Sequence, residues 1–258
     1  MPHLAHILVH PIKSLDPIRV GNSKILKSGA LEHDRAYAIF DADGQFVNGK
    51  RCAAVHALRA QYDLAPRTVA LAISGHPAPP QTFKLDGNRM LLDQFLTKHF
   101  GFAARVSHNF ESGYPDDTDA PGPTVISTAT LKTVASWFGL DVENIRRRFR
   151  ANLEIGGVEP FWEDRLFAGA GEAVRFKIGG VTIEGVNPCQ RCIVPTRDAA
   201  SGEPLKEFQK VFMEKRKQTL PKWANAERFN HFYRLAVNTR IPASESGKSV
   251  AVGDAVIA

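Results

Sequence analysis

Two cysteines, Cys189 and Cys192, stand three positions apart in the segment NPCQRCIVPTRDAASGEP, and the 258-residue chain has one other. Four kinds of chemistry are open to them: a buried structural pair, a redox dithiol, half of a zinc site, or one thiolate that binds a softer metal. The third cysteine, Cys52, lies in a different predicted domain, which disfavours a closed four-ligand zinc site. A thioredoxin-type dithiol would lie at the start of a helix, whereas a proline and turn-forming residues follow this pair.

The surroundings of the two cysteines favour a charged sulfur. Arg191 lies between them and Arg197 follows, and guanidinium groups nearby stabilise a thiolate. Pro195 and Gly202 indicate a rigid, exposed turn. A charged sulfur on a loop would act as a ligand or as a nucleophile, while burial of both thiols as small apolar side chains remains the alternative.

Four arginines occur in the segment NIRRRFRANLEI, and such a run is most often a solvated helix face. Arg150 differs because it lies beyond the predicted helix. Strand alternation would place it on the same face as Asn152, where a guanidinium and an amide could together bind an oxyanion.

Three polar residues of the first half, Lys13, Ser14 and Arg35, fall at the ends of predicted strands, where loops meet in β-rich folds. Taken singly, each is typical of a protein surface. The formal net charge of +6 and the sequence pI of about 9.3 favour anionic partners. The lysines and arginines are dispersed and no nucleic-acid-binding motif is present, so we expect no nucleic-acid partner.

Short apolar runs interrupted by Gly, Asp and Asn predict a β-rich first half. The runs are AHILVH, RAYAIFD, TVALAIS and QTFKLD. The segment FDADGQFV predicts a hairpin in which Asp43 and Gly44 adopt positive φ angles. Helical spacing over MLLDQFLTKHFGF predicts one helix that ends at Gly101.

Residues 109–123 are mainly turn formers and acids, so we expect an exposed connection between a domain over 1–108 and a second domain over 124–258. The second domain begins with a predicted strand and a helix that Thr128 caps and Gly139 ends, followed by a short helix that Asp141 caps. Further strands are predicted near 172–186, 231–237 and 250–257, with a helix over 205–217. The predicted fold class is α+β and rich in β-structure.

The chain contains no run of 18 to 20 apolar residues, and its first residues, MPHLAHILVHPIKS, do not resemble a signal peptide. We therefore expect no membrane association. Three cysteines are too few for a disulfide framework and suit a reducing compartment, so a cytoplasmic location is predicted.

These segments together resemble a known family. HPIKSL, followed by HDRAYAIFDADGQFVNGKR, is similar to the N-terminal β-barrel that precedes a MOSC domain. RFRANLEI, the CQRCI segment and VAVGDAV resemble the MOSC domain itself. The resemblance spans nearly the whole chain and implies an N-terminal β-barrel-like domain followed by a MOSC β-barrel domain with peripheral helices.

Within that family the motifs look like those of the amidoxime-reducing proteins, which bind a molybdenum cofactor (Mo-molybdopterin). The resemblance implies that Cys192 binds molybdenum and is the catalytic residue. It also implies that a second set of residues holds the pterin and its phosphate or lines the same pocket: Lys13, Ser14, Arg35, Asp119, Ser127, Arg150, Asn152 and Arg191.

The implied activity is that of a molybdenum-dependent oxidoreductase that reduces small N-hydroxylated (N-oxygenated) molecules. Electrons would come from a separate flavoprotein, ferredoxin or haem protein, because three cysteines cannot hold a Cys₄ cluster besides the molybdenum thiolate. The chain departs from the family at Pro195-Thr196, where two threonines are common. A non-catalytic MOSC module that carries sulfur or holds the cofactor is the alternative, and a diverged member without activity is a third possibility.

Overall fold

The computed structural model describes residues 1–258, and its fifteen strands and four α-helices confirm the predicted β-rich α+β class. The strands are β1 (His3–Val9), β2 (Ile18–Val20), β3 (Asn22–Lys24), β4 (Tyr37–Asp41), β5 (Leu58–Asp63), β6 (Thr68–Ile73), β7 (Gln81–Lys84), β8 (Ala104–His108), β9 (Val125–Ser127), β10 (Leu153–Gly156), β11 (Val174–Ile178), β12 (Val181–Gln190), β13 (Arg234–Arg240), β14 (Ser249–Ala251) and β15 (Val256–Ile257). The helices are α1 (Met90–Phe100), α2 (Thr128–Phe138), α3 (Val142–Phe149) and α4 (Phe208–Gln218). None of the helices has both the length and the apolar content that a membrane crossing requires.

The main sheet has eight strands in the order β15-β11-β12-β13-β9-β10-β1-β2. Its strands β1 and β2 come from the first residues of the chain, and β1 pairs antiparallel with β10, with Ile7 opposite Leu153. A second cross-connection pairs β3 with β14, near the end of the chain. Strand pairing therefore crosses the connection predicted at 109–123.

Three apolar cores support this arrangement. One lies within the main sheet and includes side chains from both halves, such as Leu4 and Val237. The second belongs to the first half, where α1 packs near two small sheets formed by β4-β8 and β5-β6-β7. The third fills the space around α2, α3 and α4, with Phe149, Phe208 and Phe212 at its centre. Each core removes apolar surface from water, which is the main stabilising contribution to folding.

The predicted helix ends are largely confirmed. Gly101 and Gly139 end α1 and α2 in the left-handed conformation, and the Asp141 side chain accepts a hydrogen bond from Asn144 N at the start of α3. The cap predicted at Thr128 is wrong, because Ser127 precedes α2 and its Oγ accepts a hydrogen bond from Thr130 N at 3.0 Å.

The predicted hairpin over 40–47 is present as a short antiparallel pairing around a tight turn, but the conformation of Asp43 differs from the prediction. Gly44 alone has a positive φ, of 73°, and Asp43 does not adopt one. The side chain of Asp41 instead accepts hydrogen bonds from the amides of Asp43 and Gln45, which fixes the turn locally. The two arms of the turn pair through a single antiparallel β-bridge, between Phe40 and Phe46.

Candidate functional site

A cavity of about 640 Å³ is lined by residues from both halves of the chain. Both Cys189 and Cys192 lie in its wall, facing the same space as Arg35 of the first half and Arg150 and Asn152 of the second. The volume lies within the range of small-molecule and cofactor sites. The cavity therefore brings the cysteine pair and the predicted oxyanion-binding residues together.

The cavity wall is strongly basic. It contains nine arginines and one lysine against four aspartates, an excess of six positive charges that equals the formal net charge of the whole chain. Four lining arginines also have a buried Nε without a hydrogen-bond partner: Arg59, Arg191, Arg197 and Arg234. Unpaired buried N–H groups are costly, so a wall of this kind suits an anionic ligand that supplies acceptors.

Arg35 is anchored beneath the cavity by its neighbour Asp34, with which it forms an ion pair. Asp34 Oδ1 also accepts a hydrogen bond from the His10 main-chain N at 2.8 Å. Burial alone would raise the pKa of Asp34, but Arg35 and the hydrogen bond from His10 outweigh it and lower the pKa to about 2. The Nη1 of Arg35 lies 3.4 Å from Asn152 Oδ1, so the two halves meet at this guanidinium.

Arg150 is the residue that ends α3, in the left-handed conformation with φ of 55°. The predicted strand alternation of Arg150 and Asn152 is therefore wrong, because the chain turns at Arg150 and β10 begins only at Leu153. Both side chains line the cavity nevertheless. Burial, together with the positive charge of Arg35, lowers the pKa of Arg150 to about 10, so the guanidinium remains charged at neutral pH.

The cysteine segment lies where β12 ends. Cys189 belongs to the strand and Cys192 follows it, and both thiols are free and half-buried. Arg191 donates a hydrogen bond from Nη1 to Cys189 Sγ at 3.0 Å, and its guanidinium lies over the ring of Phe149. The sequence predicted such guanidinium support for a thiolate.

The turn after Cys192 is less exposed than predicted, since Pro195 and Thr196 are buried. Arg148 holds this turn in place by donating hydrogen bonds from Nη1 to the main-chain oxygens of Pro195 and Arg197. Its guanidinium lies over the ring of Phe208 in α4. The interpretation of the arginine run as a solvated face is therefore wrong for Arg148, which is buried.

Lys13 does not line the cavity, although the loop after β1 carries it to the edge of the site. Its ammonium group is buried and donates hydrogen bonds to Tyr114 O at 2.8 Å, Pro115 O at 3.3 Å and Asp116 Oδ1 at 2.7 Å. Ser14, the next residue, has a positive φ of 76° and lies in the cavity wall.

Two of the predicted pocket residues lie away from the cavity. Asp119 is an exposed residue of the 109–123 connection, and Ser127 is fully buried, where its hydroxyl caps α2 and donates to Thr130 Oγ1 at 2.8 Å. Sequence reasoning missed several lining residues, among them Asp116, Asp117 and His56. The aspartates lie three and two positions before Asp119, so the acidic segment that contains the predicted residue borders the cavity through two of its other members.

Comparison with known proteins gives two family matches: the MOSC N-terminal beta barrel domain over residues 1–109 and the MOSC domain over residues 123–257. The chain is 33% identical over 79 residues to a molybdenum cofactor sulfurase of Caenorhabditis briggsae, covering 31% of this chain and 10% of that protein. It is 27% identical over 112 residues to the molybdenum cofactor sulfurase of Caenorhabditis elegans, covering 43% of this chain and 14% of that protein. The matches thus span a small part of these relatives.

Among solved structures, the YUAD protein from Bacillus subtilis aligns with a TM-score of 0.40 and 10% sequence identity, covering 99% of this chain and 94% of that one. The two family matches account for all but 14 of the 258 residues, those at 110–122 and 258. Both predicted parts of the family are present, in the predicted order. The chain belongs to the MOSC domain family, with the family's N-terminal β-barrel domain preceding the MOSC domain.

Proposed function

We propose that the protein is a molybdenum-cofactor-dependent oxidoreductase that reduces small N-hydroxylated molecules with electrons from a separate carrier protein. One observation supports this proposal most directly. A single basic cavity is lined by Cys192 together with Arg35 and Arg150, two cations contributed by different halves of the chain.

The residues of the cavity fit a molybdenum cofactor. No group of three or more His, Cys, Asp or Glu side chains comes together as a metal site, so a metal at Cys192 would need donors from outside the protein. A pterin dithiolene supplies two sulfurs to molybdenum, and a thiolate is a suitable third soft donor. The unpartnered Nε atoms of the lining arginines suit the anionic tail of such a cofactor.

Each proposed role belongs to a residue that lines the cavity. Cys192 would bind the metal, while Arg35, Arg150 and Asn152 would hold the pterin and its phosphate. Arg191, which donates a hydrogen bond to Cys189, would stabilise the thiolate form of the cysteine pair. When bound, the cofactor supplies two-electron redox chemistry at molybdenum.

Reduction of a hydroxylamine-type substrate, R–NHOH + 2e⁻ + 2H⁺ → R–NH₂ + H₂O, needs two protons. His56 contributes the one imidazole in the cavity wall. Burial, with a smaller effect from Arg197, lowers its pKa below the ordinary value, so the ring is mainly neutral at pH 7 and would pass protons on from solvent rather than hold one. We assign proton transfer to His56 within the proposed reaction.

The electrons would arrive from an acidic carrier. The three cysteines of these 258 residues cannot hold a Cys₄ iron–sulfur cluster besides the molybdenum thiolate. The positive charge of the chain would accelerate the encounter with an acidic flavoprotein, ferredoxin or haem protein, with a rate that falls as salt is added.

The proposal is tested by purifying the full chain from a molybdenum-replete host and measuring molybdenum and pterin per chain, with reduction of a simple amidoxime by an artificial electron donor. We expect about one molybdenum per chain in the wild type, from the single thiolate site. Cys192→Ser should lose both metal and reduction, whereas Cys52→Ser, whose side chain lies outside the cavity wall, should retain them. Equal molybdenum content in the two variants would contradict the role of Cys192.

A non-catalytic sulfur carrier is the second candidate function. It is favoured by the similarity to two proteins named molybdenum cofactor sulfurase, and by the Arg191 contact that would stabilise a charged sulfur on Cys189. A carrier would hold sulfur as a persulfide on an accessible thiol. Protein without molybdenum that releases thiol-bound sulfur on treatment with a reductant would identify the carrier instead.

A further inference from the structure

The hydrogen-bonding capacity of Lys13 is already used inside the protein. An ammonium group has three N–H donors and no acceptor, and all three donors of Lys13 reach residues 114–116. Its side chain is 7% exposed. Lys13 can therefore give a hydrogen bond to a ligand only after the 114–116 segment has released at least one of these donors.

Asp116 is the charged member of that segment and faces two cations. Its Oδ1 accepts the Lys13 hydrogen bond at 2.7 Å, and its Oδ2 lies 3.8 Å from Arg35 Nε. The side chain remains 60% exposed and lines the cavity, unlike that of Lys13. The carboxylate thus occupies the position between the two cations on the side that a ligand would approach.

We propose that Asp116 is a specificity-determining residue: its carboxylate occupies the anion position between Lys13 and Arg35, and only a dianionic ligand group displaces it. This inference rests on the proposed function, because Arg35 is assigned there to the pterin and its phosphate. The proposal assigns anion discrimination to Asp116, a residue of the 109–123 connection that lies outside the motifs on which the family resemblance rests.

The charges explain why a dianion is required. In the ligand-free protein Lys13 and Arg35 are balanced by Asp34 and Asp116, so this group of four has no net charge. A monoanion would only replace one carboxylate by another anion, and the tethered carboxylate has the advantage of a high effective concentration. A dianion such as a phosphate monoester gains a further charge against the same two cations.

The carboxylate is ionised at neutral pH. Partial loss of solvation inside the cavity would raise the pKa of Asp116, but Arg35 and Lys13 outweigh it and hold the pKa well below the ordinary range. Protonation therefore does not remove Asp116 from competition under ordinary conditions, and displacement must come from the ligand.

The test compares Asp116→Asn with Asp119→Asn in the cofactor-free full chain, titrated with inorganic phosphate at pH 8 and with nitrate, at constant ionic strength, by calorimetry. Asp119 provides a matched control because it lies in the same connection and outside the cavity wall. We expect wild type and Asp119→Asn to bind phosphate and to bind nitrate at least about tenfold more weakly. Asp116→Asn should bind phosphate about tenfold more tightly and nitrate measurably, because no carboxylate has to leave.

A second measurement uses the wild-type protein and needs no variant. Saturating phosphate should increase amide hydrogen exchange over residues 112–118, since displacement of Asp116 removes one of the three hydrogen bonds by which Lys13 holds this segment. Unchanged exchange with bound phosphate, or equal phosphate and nitrate affinities in wild type, would overturn the proposal. The molybdenum and pterin content of the purified protein tests the proposed function separately. If the protein purified from a molybdenum-replete host contains no cofactor but still shows anion selectivity that depends on Asp116, the proposed function is wrong and this inference stands.

Discussion

Arg150, at the end of α3, donates a hydrogen bond from Nη2 to the main-chain oxygen of Leu15 over 2.7 Å. The residues are 135 positions apart, so the bond joins a cation of the MOSC domain to the loop that carries Lys13 and Ser14. The position of the guanidinium in the cavity thus depends on contacts from both halves of the chain.

If the proposed cofactor is bound, replacing Arg150 by Gln should reduce molybdenum and pterin retained per chain by about tenfold, because a charge-assisted contact to its anionic group would be lost. The same change should raise the pKa of His10, which burial and the charge of Arg150 together hold at about 4. Metal analysis and NMR titration of the histidine measure the two effects. Arg165→Gln, at an exposed ion pair with Glu159, is the control and should change neither.

Arg148→Met should loosen the turn after Cys192 in the cofactor-free protein, because the main-chain oxygens of Pro195 and Arg197 lose their donor. We expect Cys192 to be alkylated about tenfold faster, measured by mass spectrometry in a background with the other two cysteines replaced by Ser. Arg147→Met removes a neighbouring cation that instead pairs with Asp16 at 3.2 Å. Loss of a cation alone should slow alkylation, since a nearby positive charge favours the thiolate, so an equal acceleration in Arg147→Met would contradict the role assigned to the turn contacts of Arg148.

Glu163 should make the protein less stable as pH rises from about 4.5 to 7. Burial, with a smaller effect from Asp164, raises its pKa to about 7, so the folded state keeps a proton that the unfolded state has lost in this window. The free energy of unfolding should fall by on the order of 3 kcal/mol between pH 4 and pH 8 from this group.

Comparing urea unfolding of wild type and Glu163→Gln across pH isolates this contribution, since His10 and other groups titrate in the same range. The Gln variant should gain stability relative to wild type as pH rises, because its side chain cannot ionise. Glu159→Gln, at a half-exposed ion pair, is the control. A wild-type and Glu163→Gln difference that is independent of pH would show that folding does not shift the pKa of Glu163.

Gly185→Ala should destabilise the protein by at least about 3 kcal/mol, or prevent folding, because no side chain fits at this point of β12. A Cβ there would lie 1.7 Å from the main-chain oxygen of Leu166. Gly180→Ala is the matched control, since a Cβ at Gly180 meets nothing within 4 Å. Thermal unfolding measures both variants: the midpoint of Gly180→Ala should be close to that of the wild type, and the midpoint of Gly185→Ala should be lower.

Local features of the fold could be predicted because short-range chemistry determines them. Helix ends at Gly101 and Gly139 follow from the ease with which glycine adopts the left-handed conformation. Arg150 adopts the same conformation without being glycine, and for that reason the strand predicted through Arg150 and Asn152 was wrong.

The rest of the site depends on contacts between residues far apart in the chain, which a local sequence pattern does not predict. The three N–H donors of the Lys13 ammonium group bond to residues 101 to 103 positions away, and hydrophobic periodicity does not indicate partners at that separation. The choice among Asp116, Asp117 and Asp119 is likewise not encoded in residue type, because all three occur in one turn-rich segment. Only the path of the backbone determines which carboxylate enters the cavity.

The position of β1 in the main sheet has a consequence for biosynthesis. Its partner β10 ends at Gly156, so the ribosome must add almost 150 residues after Val9 before the pair can form. At cellular elongation rates this takes on the order of ten seconds. During that time β1 can pair only with β2, so its other edge stays open and Leu4, Ile7 and Val9, all buried in the finished protein, remain uncovered on the nascent chain. Such a strand is a suitable target for a ribosome-associated chaperone.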